Sequence, residues 1–170
     1  MSLYEHTVPR FTKSLEVCER WIDKTVEFAK SKNFDADTML TARLAPDMLP
    51  LVRQFQSICD QTKFICTRLT GKEVPSHPDT EKTWEEVRAR LRSAREIQSG
   101  FTREDFEGAE ARKVILPWMP GKYLLGEEYV YDFGIPNLHF HLTIAYAILR
   151  HNGVPLGKAD FIGGLPFKDA

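Results

Sequence analysis

The chain has 170 residues and a formal net charge of −1, with 42% hydrophobic and 28% charged residues. That length suits one domain over residues 1–170 whose core needs no staples. The near-neutral balance excludes a nucleic-acid binder and a charged disordered tail. The uncharged run from Phe133 to Leu149 is broken by Gly134, Pro136, Asn137, His139 and His141, too polar and too short to span a bilayer. The opening MSLYEHTVPRF lacks an apolar signal core. The expectation is a cytoplasmic protein with no membrane and no nucleic-acid partner.

Helical periodicity then dominates. Val8, Phe11, Leu15, Cys18, Ile22, Val26 and Ala29 recur at three- and four-residue steps and predict a long first helix, with Pro9 in its tolerant first turn. Asp35, Asp37 and Thr38 suggest a turn and a short helical piece. Ala45-Pro46-Asp47 is read as opening a second helix, with Asp47 as an acid in its first turn and Pro50 tolerated soon after. Its stripe runs from Met48 through Leu51, Phe55, Ile58, Cys59, Ile65 and Cys66 to Leu69 before Gly71. The stretch Lys72 to Asp79, holding Pro75 and Pro78, reads as a loop. Thr83 and Glu86 form a capping box for a third helix that buries Trp84, Val87, Leu91, Ala94 and Gln98 and ends at Gly100. Lys113–Pro117 and Lys122–Leu125 flank a Met119-Pro120-Gly121 turn and predict a small hairpin. Helix resumes over Glu127–Phe133, and Gly134-Ile135-Pro136 kinks or splits it. The last helix carries Leu138, His141, Leu142, Ala145, Ile148 and Leu149 on one face and stops at Asn152-Gly153. The fold class is therefore all-α: a four-helix bundle with a β-hairpin between the third and fourth helices.

The three cysteines, Cys18, Cys59 and Cys66, sit at apolar helical positions without a C-x-x-C pair and read as buried free thiols. Arg88, Arg90, Arg92 and Arg95 are interleaved with Glu85, Glu86 and Glu96 and read as a solvated helix face. Glu127, Glu128 and Asp132 suit a helix start without catalysis. His151 suits a helix C-terminus, and His6 and His77 are expected to be solvated. Tyr129 and Tyr131 stand near the broken helix, where a phenol either packs and hydrogen-bonds or holds a ligand. Gly157, Gly163 and Gly164 lack a strand-loop-helix context and read as an ordered tail, not a nucleotide loop.

Two segments carry a family resemblance. Leu44-Ala45-Pro46-Asp47-Met48 and Tyr146-Ala147-Ile148-Leu149-Arg150-His151-Asn152-Gly153-Val154-Pro155-Leu156-Gly157-Lys158, with Asp160-Phe161-Ile162-Gly163-Gly164 behind, resemble the helix-tyrosine-bundle family, a domain of unknown function. That family is similar in turn to the DinB-like bundles, whose better-known members bind a divalent metal through three histidines and include thiol transferases and hydrolases. The resemblance implies a DinB-like bundle. It also places His141 on the second histidine of the last-helix pair, with Asn137 where the first would stand. On the second helix the corresponding turn reads Leu51-Val52-Arg53-Gln54, and no histidine occurs from Asp35 to Lys72.

Imidazole and thiolate bind transition metals far better than amides do, so Gln54, Asn137 and His141 make a weak metal set but a good neutral polar cluster. His139 falls on a different face from His141. The ligand-binding cleft is expected at Gln54, Tyr131, Asn137 and His141, with no metal and no cofactor. The function read from this is a cytosolic small-molecule-binding or metabolite-modifying bundle without the full three-histidine site. One alternative is a divalent-metal thiol transferase or hydrolase with zinc or nickel held by His141 and other ligands. The other is a homodimeric interaction module docking through Trp118 and Met119.

Overall fold

The computed structural model describes residues 2–169. Four long helices carry the fold: α1 (Val8–Lys32), α2 (Leu51–Thr70), α3 (Trp84–Ser99) and α4 (Ile135–His151). A two-stranded antiparallel hairpin, β1 (Lys113–Val114) and β2 (Leu124–Leu125), lies between α3 and α4, pairing Lys113 with Leu125 and Val114 with Leu124. The all-α bundle with its small hairpin is thus the observed architecture. Helix α2 packs against α4, α3 and α1, while α1 packs chiefly along α3. Their apolar stripes meet in one core that includes Phe11, Leu15, Trp21, Phe55, Ile58, Leu91, Leu138 and Ile148. No helix among the described residues is long and apolar enough to cross a membrane.

Local chemistry sets the helix ends. Thr83 accepts from the Glu86 amide while the Glu86 carboxylate accepts from the Thr83 amide, so the expected capping box forms. The indole of Trp84 then donates to the Ala36 carbonyl at 2.8 Å and meets Phe55 edge-on at 5.4 Å, fixing α3 against the 3₁₀ turn Ala36–Thr41. Gly71, at φ 76°, ends α2 in the left-handed conformation that costs glycine least.

Several expectations are corrected. Helix α2 starts at Leu51, not at Ala45-Pro46-Asp47. Pro50 is its N-cap, because a proline disfavours helical backbone at the residue before it, here Leu49. Asp47 accordingly lies in a preceding turn. Val26 is 42% exposed, and Val17 and Trp21 take buried places on α1 instead. The strands are two residues each, not the longer runs expected. A further short helix, Lys158–Ile162, forms in what read as a tail.

The segment ahead of Pro136 does not split the helix. Gly126–Glu128 leads into a π-helical turn, Tyr129–Gly134, which continues directly into α4. There the Ile135 amide bonds the Val130 carbonyl five residues back. One extra residue widens the turn and accommodates the ring of Pro136, which has no N–H to offer. Gly126 enters this segment so close to the chain that a Cβ would lie 1.9 Å from the Ala109 carbonyl oxygen. Tyr129 is fully buried, stacks on Phe133 at 5.9 Å, and accepts from Arg68 at 2.8 Å. Burial pushes its phenol pKa up against the pull of Arg68, so it packs and hydrogen-bonds.

The arginine-rich face of α3 is not simply solvated. Arg88 pairs with Asp23, and Arg95 with Glu16 and Glu19, tying α3 to α1. Arg90 is buried and donates to Asp60 at 2.9 Å, Glu81 at 3.0 Å and the Pro78 carbonyl at 3.0 Å. Beside it, buried Lys63 reaches Asp60 at 3.2 Å and His77 Nδ1 at 2.8 Å. His77 is therefore not solvated. An ammonium only donates, so Nδ1 accepts from Lys63 and Nε2–H donates to Ser93 Oγ at 2.8 Å. The loop between α2 and α3 is thus stapled through a neutral imidazole. No local pattern signals this, because Lys63 and Arg90 look like ordinary surface charges until α2 and α3 are packed.

Burial, then the facing charges of Lys63 and Arg90, hold the His77 pKa below its usual 6.5, against Asp60 and Glu81, which raise it. A histidine depressed in the folded state binds its proton less readily there than in the unfolded chain. Its contribution to stability is therefore complete above 6.5 and is lost as pH falls through the folded value. Acidification is expected to speed hydrogen exchange of loop amides 72–82 before the rest of the bundle. His77→Gln, which keeps an acceptor for Lys63 and a donor for Ser93, should flatten that dependence.

Candidate functional site

Gln54 lies in the first turn of α2, and α4 packs alongside it. The pleat of α4 puts Asn137 and His141 on one face, four residues apart. Across the α2–α4 seam, His141 Nδ1 lies 2.9 Å from Gln54 Oε1. The other end of that amide is also committed, since Gln54 Nε2 donates to the Leu49 carbonyl at 3.1 Å. Oε1 is therefore the acceptor and His141 carries its proton on Nδ1, leaving the Nε2 lone pair free. Gln54 is 1% exposed and His141 is half-buried, so the pair sits at the edge of the core with one ring edge toward solvent. Burial lowers the His141 pKa below 6.5, and the ring is neutral at pH 7.

Asn137 is half-buried, and among the described residues its side-chain amide makes no hydrogen bond to Gln54 or His141. Tyr131 is not drawn into this pair: it is 39% exposed and meets His6 edge-on at 5.6 Å. The structure therefore brings together Gln54 and His141, sets Asn137 one turn away and leaves Tyr131 apart. His139 points away from this seam and lines a different pocket, as its place on another face of the helix requires.

The donor set does not fit a three-histidine metal site. It offers one imidazole nitrogen, and both ends of the Gln54 amide are already used within the protein. Among the described residues no three His, Cys, Asp or Glu side chains converge as a metal-binding group. The cysteines are all buried, and burial raises the Cys59 thiol to about 12, so no thiolate is on hand as a ligand or nucleophile.

The tautomer is directly observable. Long-range ¹H–¹⁵N spectra at pH 7.5 should show His141 protonated on Nδ1. Gln54→Leu, which removes the acceptor, should return the ring to the commoner Nε2–H form. An Nε2-protonated His141 in the parent protein would contradict the arrangement.

Comparison with known proteins places this geometry. The family described as Domain of unknown function (DUF1993) matches residues 3–162. A DinB family member protein from Shewanella denitrificans, known from its crystal structure, is similar to this chain with 43% identity and a TM-score of 0.96; the match covers 99% of this chain and 96% of that one. No curated protein matches the chain. The chain therefore belongs to the DUF1993 domain family of unknown function and has a DinB-like fold.

Proposed function

We propose that the chain is a cytosolic small-molecule-binding or metabolite-modifying bundle, a single domain over residues 1–170 that works without the full three-histidine metal site. The observation that carries this reading is the Gln54–His141 hydrogen bond, which orients a neutral imidazole with its Nε2 lone pair unused. Such a nitrogen accepts a hydrogen bond from a ligand hydroxyl, amine or amide. In a reaction it takes a proton as a general base, with Gln54 steadying the imidazolium from the far side. Asn137, one turn away, adds an amide that both donates and accepts. The ligand is thus a small polar molecule with a donor for Nε2. The three-histidine chemistry of better-known DinB-like proteins enters no step, because the amides do not supply it.

The test combines metal analysis of untagged protein purified without chelator with a thermal-shift screen of small polar metabolites. A melting temperature unmoved by EDTA, zinc or nickel is expected. A ligand at 100 times its Kd should raise the melting temperature by about 5 to 10 °C, the equivalent of about 2.7 kcal/mol. His141→Ala should abolish that rise and, by leaving Gln54 Oε1 unpaired, cost about 1–3 kcal/mol of stability. Stoichiometric metal that disappears with His141→Ala would replace this reading with the metalloenzyme.

A homodimer is the second reading, resting on the hairpin, where Ile115 is 65% exposed, Trp118 57% and Tyr123 52%. Apolar exposure of this kind marks contact surfaces. Sedimentation should then show a dimer that Ile115→Ser with Trp118→Ser dissociates.

A further inference from the structure

On the side of α4 turned away from Gln54, a pocket of about 270 Å³ opens between α1, α4 and the short helix Lys158–Ile162. Its floor is apolar: Val17, Trp21 and Leu142 are each buried, and Phe161 stacks on Trp21 at 5.8 Å. The indole is held in place from behind, since Trp21 Nε1 donates to the Asp160 carbonyl at 3.1 Å. The rim is cationic. Arg10 and Lys13 project from α1 one turn apart, with Ser14 between the floor and the rim and His139 opposite on α4. Among the described residues no carboxylate lines it.

The acids of the neighbourhood are committed elsewhere. Asp160 pairs with Lys24 at 2.8 Å and accepts from the Gly157 amide, Glu5 pairs with Arg103, and Glu16 and Glu19 face Arg95. Arg10, Lys13 and Arg20 consequently have no carboxylate partner among the described residues, whereas Arg88, Arg90 and Arg95 of α3 all do. Gly163 extends the same rim. At φ 71° a Cβ there would meet Arg20 Nη2 at 3.0 Å, Lys13 Cε at 3.3 Å and Val17 Cγ2 at 2.9 Å, so only glycine lets the chain cross this close to the cations.

We propose that this pocket binds a small organic carboxylate, with an apolar body of about ring size against Phe161 and Ile162, which close over the buried Trp21, and its carboxylate between Arg10 and Lys13. Phe161, fixed by its stacking on Trp21, offers aromatic area at little ordering cost, and an arginine beside a lysine matches a single carboxylate. The site shares no residue with the Gln54–His141 pair and does not rest on the reading given to it.

The experiment titrates the full chain with phenylacetate and with its uncharged analogue phenylacetamide, by calorimetry and by the Trp21 indole N–H signal. The expected result is saturable binding of phenylacetate that shifts Trp21, at least tenfold weaker binding of the amide, and at least a tenfold loss of phenylacetate affinity in Arg10→Gln with Lys13→Gln. Both substituted side chains lie at the surface, and an unchanged melting temperature in the variant confirms that it is folded. No saturable binding, equal affinity for acid and amide, or affinity that survives the double substitution would each overturn the proposal.

Discussion

Helix α2 is enclosed by the other three long helices, and that enclosure is the constraint on which the rest of the structure depends. Its apolar stripe supplies Phe55, Ile58, Ile65 and Leu69 to the core, but it also buries Gln54, Gln56, Thr62 and Lys63. A polar group withdrawn from water costs stability unless it is bonded, so each of these needs a partner. Thr62 donates back to the Cys59 carbonyl, and its own carbonyl accepts from Gln98 of α3. Gln56 donates to Glu81, and Lys63 finds Asp60 and His77. Gln54 finds His141. The polar residues of one helix thereby dictate the position of the α2–α3 loop, the seating of α3 and the orientation of the one histidine at the α2–α4 seam.

The same demand separates two ends of α2 with different chemistry. Around Lys63 and Arg90 the charges answer one another: burial opposes ionisation of Asp79 and Glu81, but hydrogen bonds from Arg53, Gln56 and Arg90 hold both below the usual carboxylate range. Arg90 Nε stays without a partner among the described residues but is closed off from solvent, and the network serves to fix a loop. Around Gln54 the hydrogen bonds run out one atom early. Leu49 satisfies the amide nitrogen, His141 satisfies the oxygen, and the far nitrogen of the ring has no partner among the described residues.

Helix α4 shows how a local irregularity positions such an atom. The π turn over Tyr129–Gly134 absorbs Pro136 without a break, so the register of α4 is set by the widened turn. Tyr129, locked by Arg68 and by the Phe133 ring, holds the turn against α2. From there, successive turns present Asn137 and His141 to α2 while His139 faces the pocket beside α1. One helix therefore borders a neutral amide-imidazole pair on one side and, on the other, a pocket with an apolar floor and a cationic rim.

The amino-acid sequence by itself determined the four helices, the capping box at Thr83, the hairpin and the family to which the chain belongs, because periodicity, caps and turn residues act within a few positions of one another. It also placed Asn137 and His141 on one face, which is a matter of helical pitch alone. Only the tertiary structure decided that Gln54 bonds His141 across 87 positions, that Tyr131 turns to His6, and that Lys63 and Arg90 leave the solvent with His77 bonded beside them. The start of α2 at Leu51 belongs between the two, since Pro50 carries the signal but Asp47 offers a competing one. The physical reason is range. Backbone preference is a property of neighbours in sequence, whereas the partner of a buried polar group is whichever atom the packed helices bring within about 3 Å.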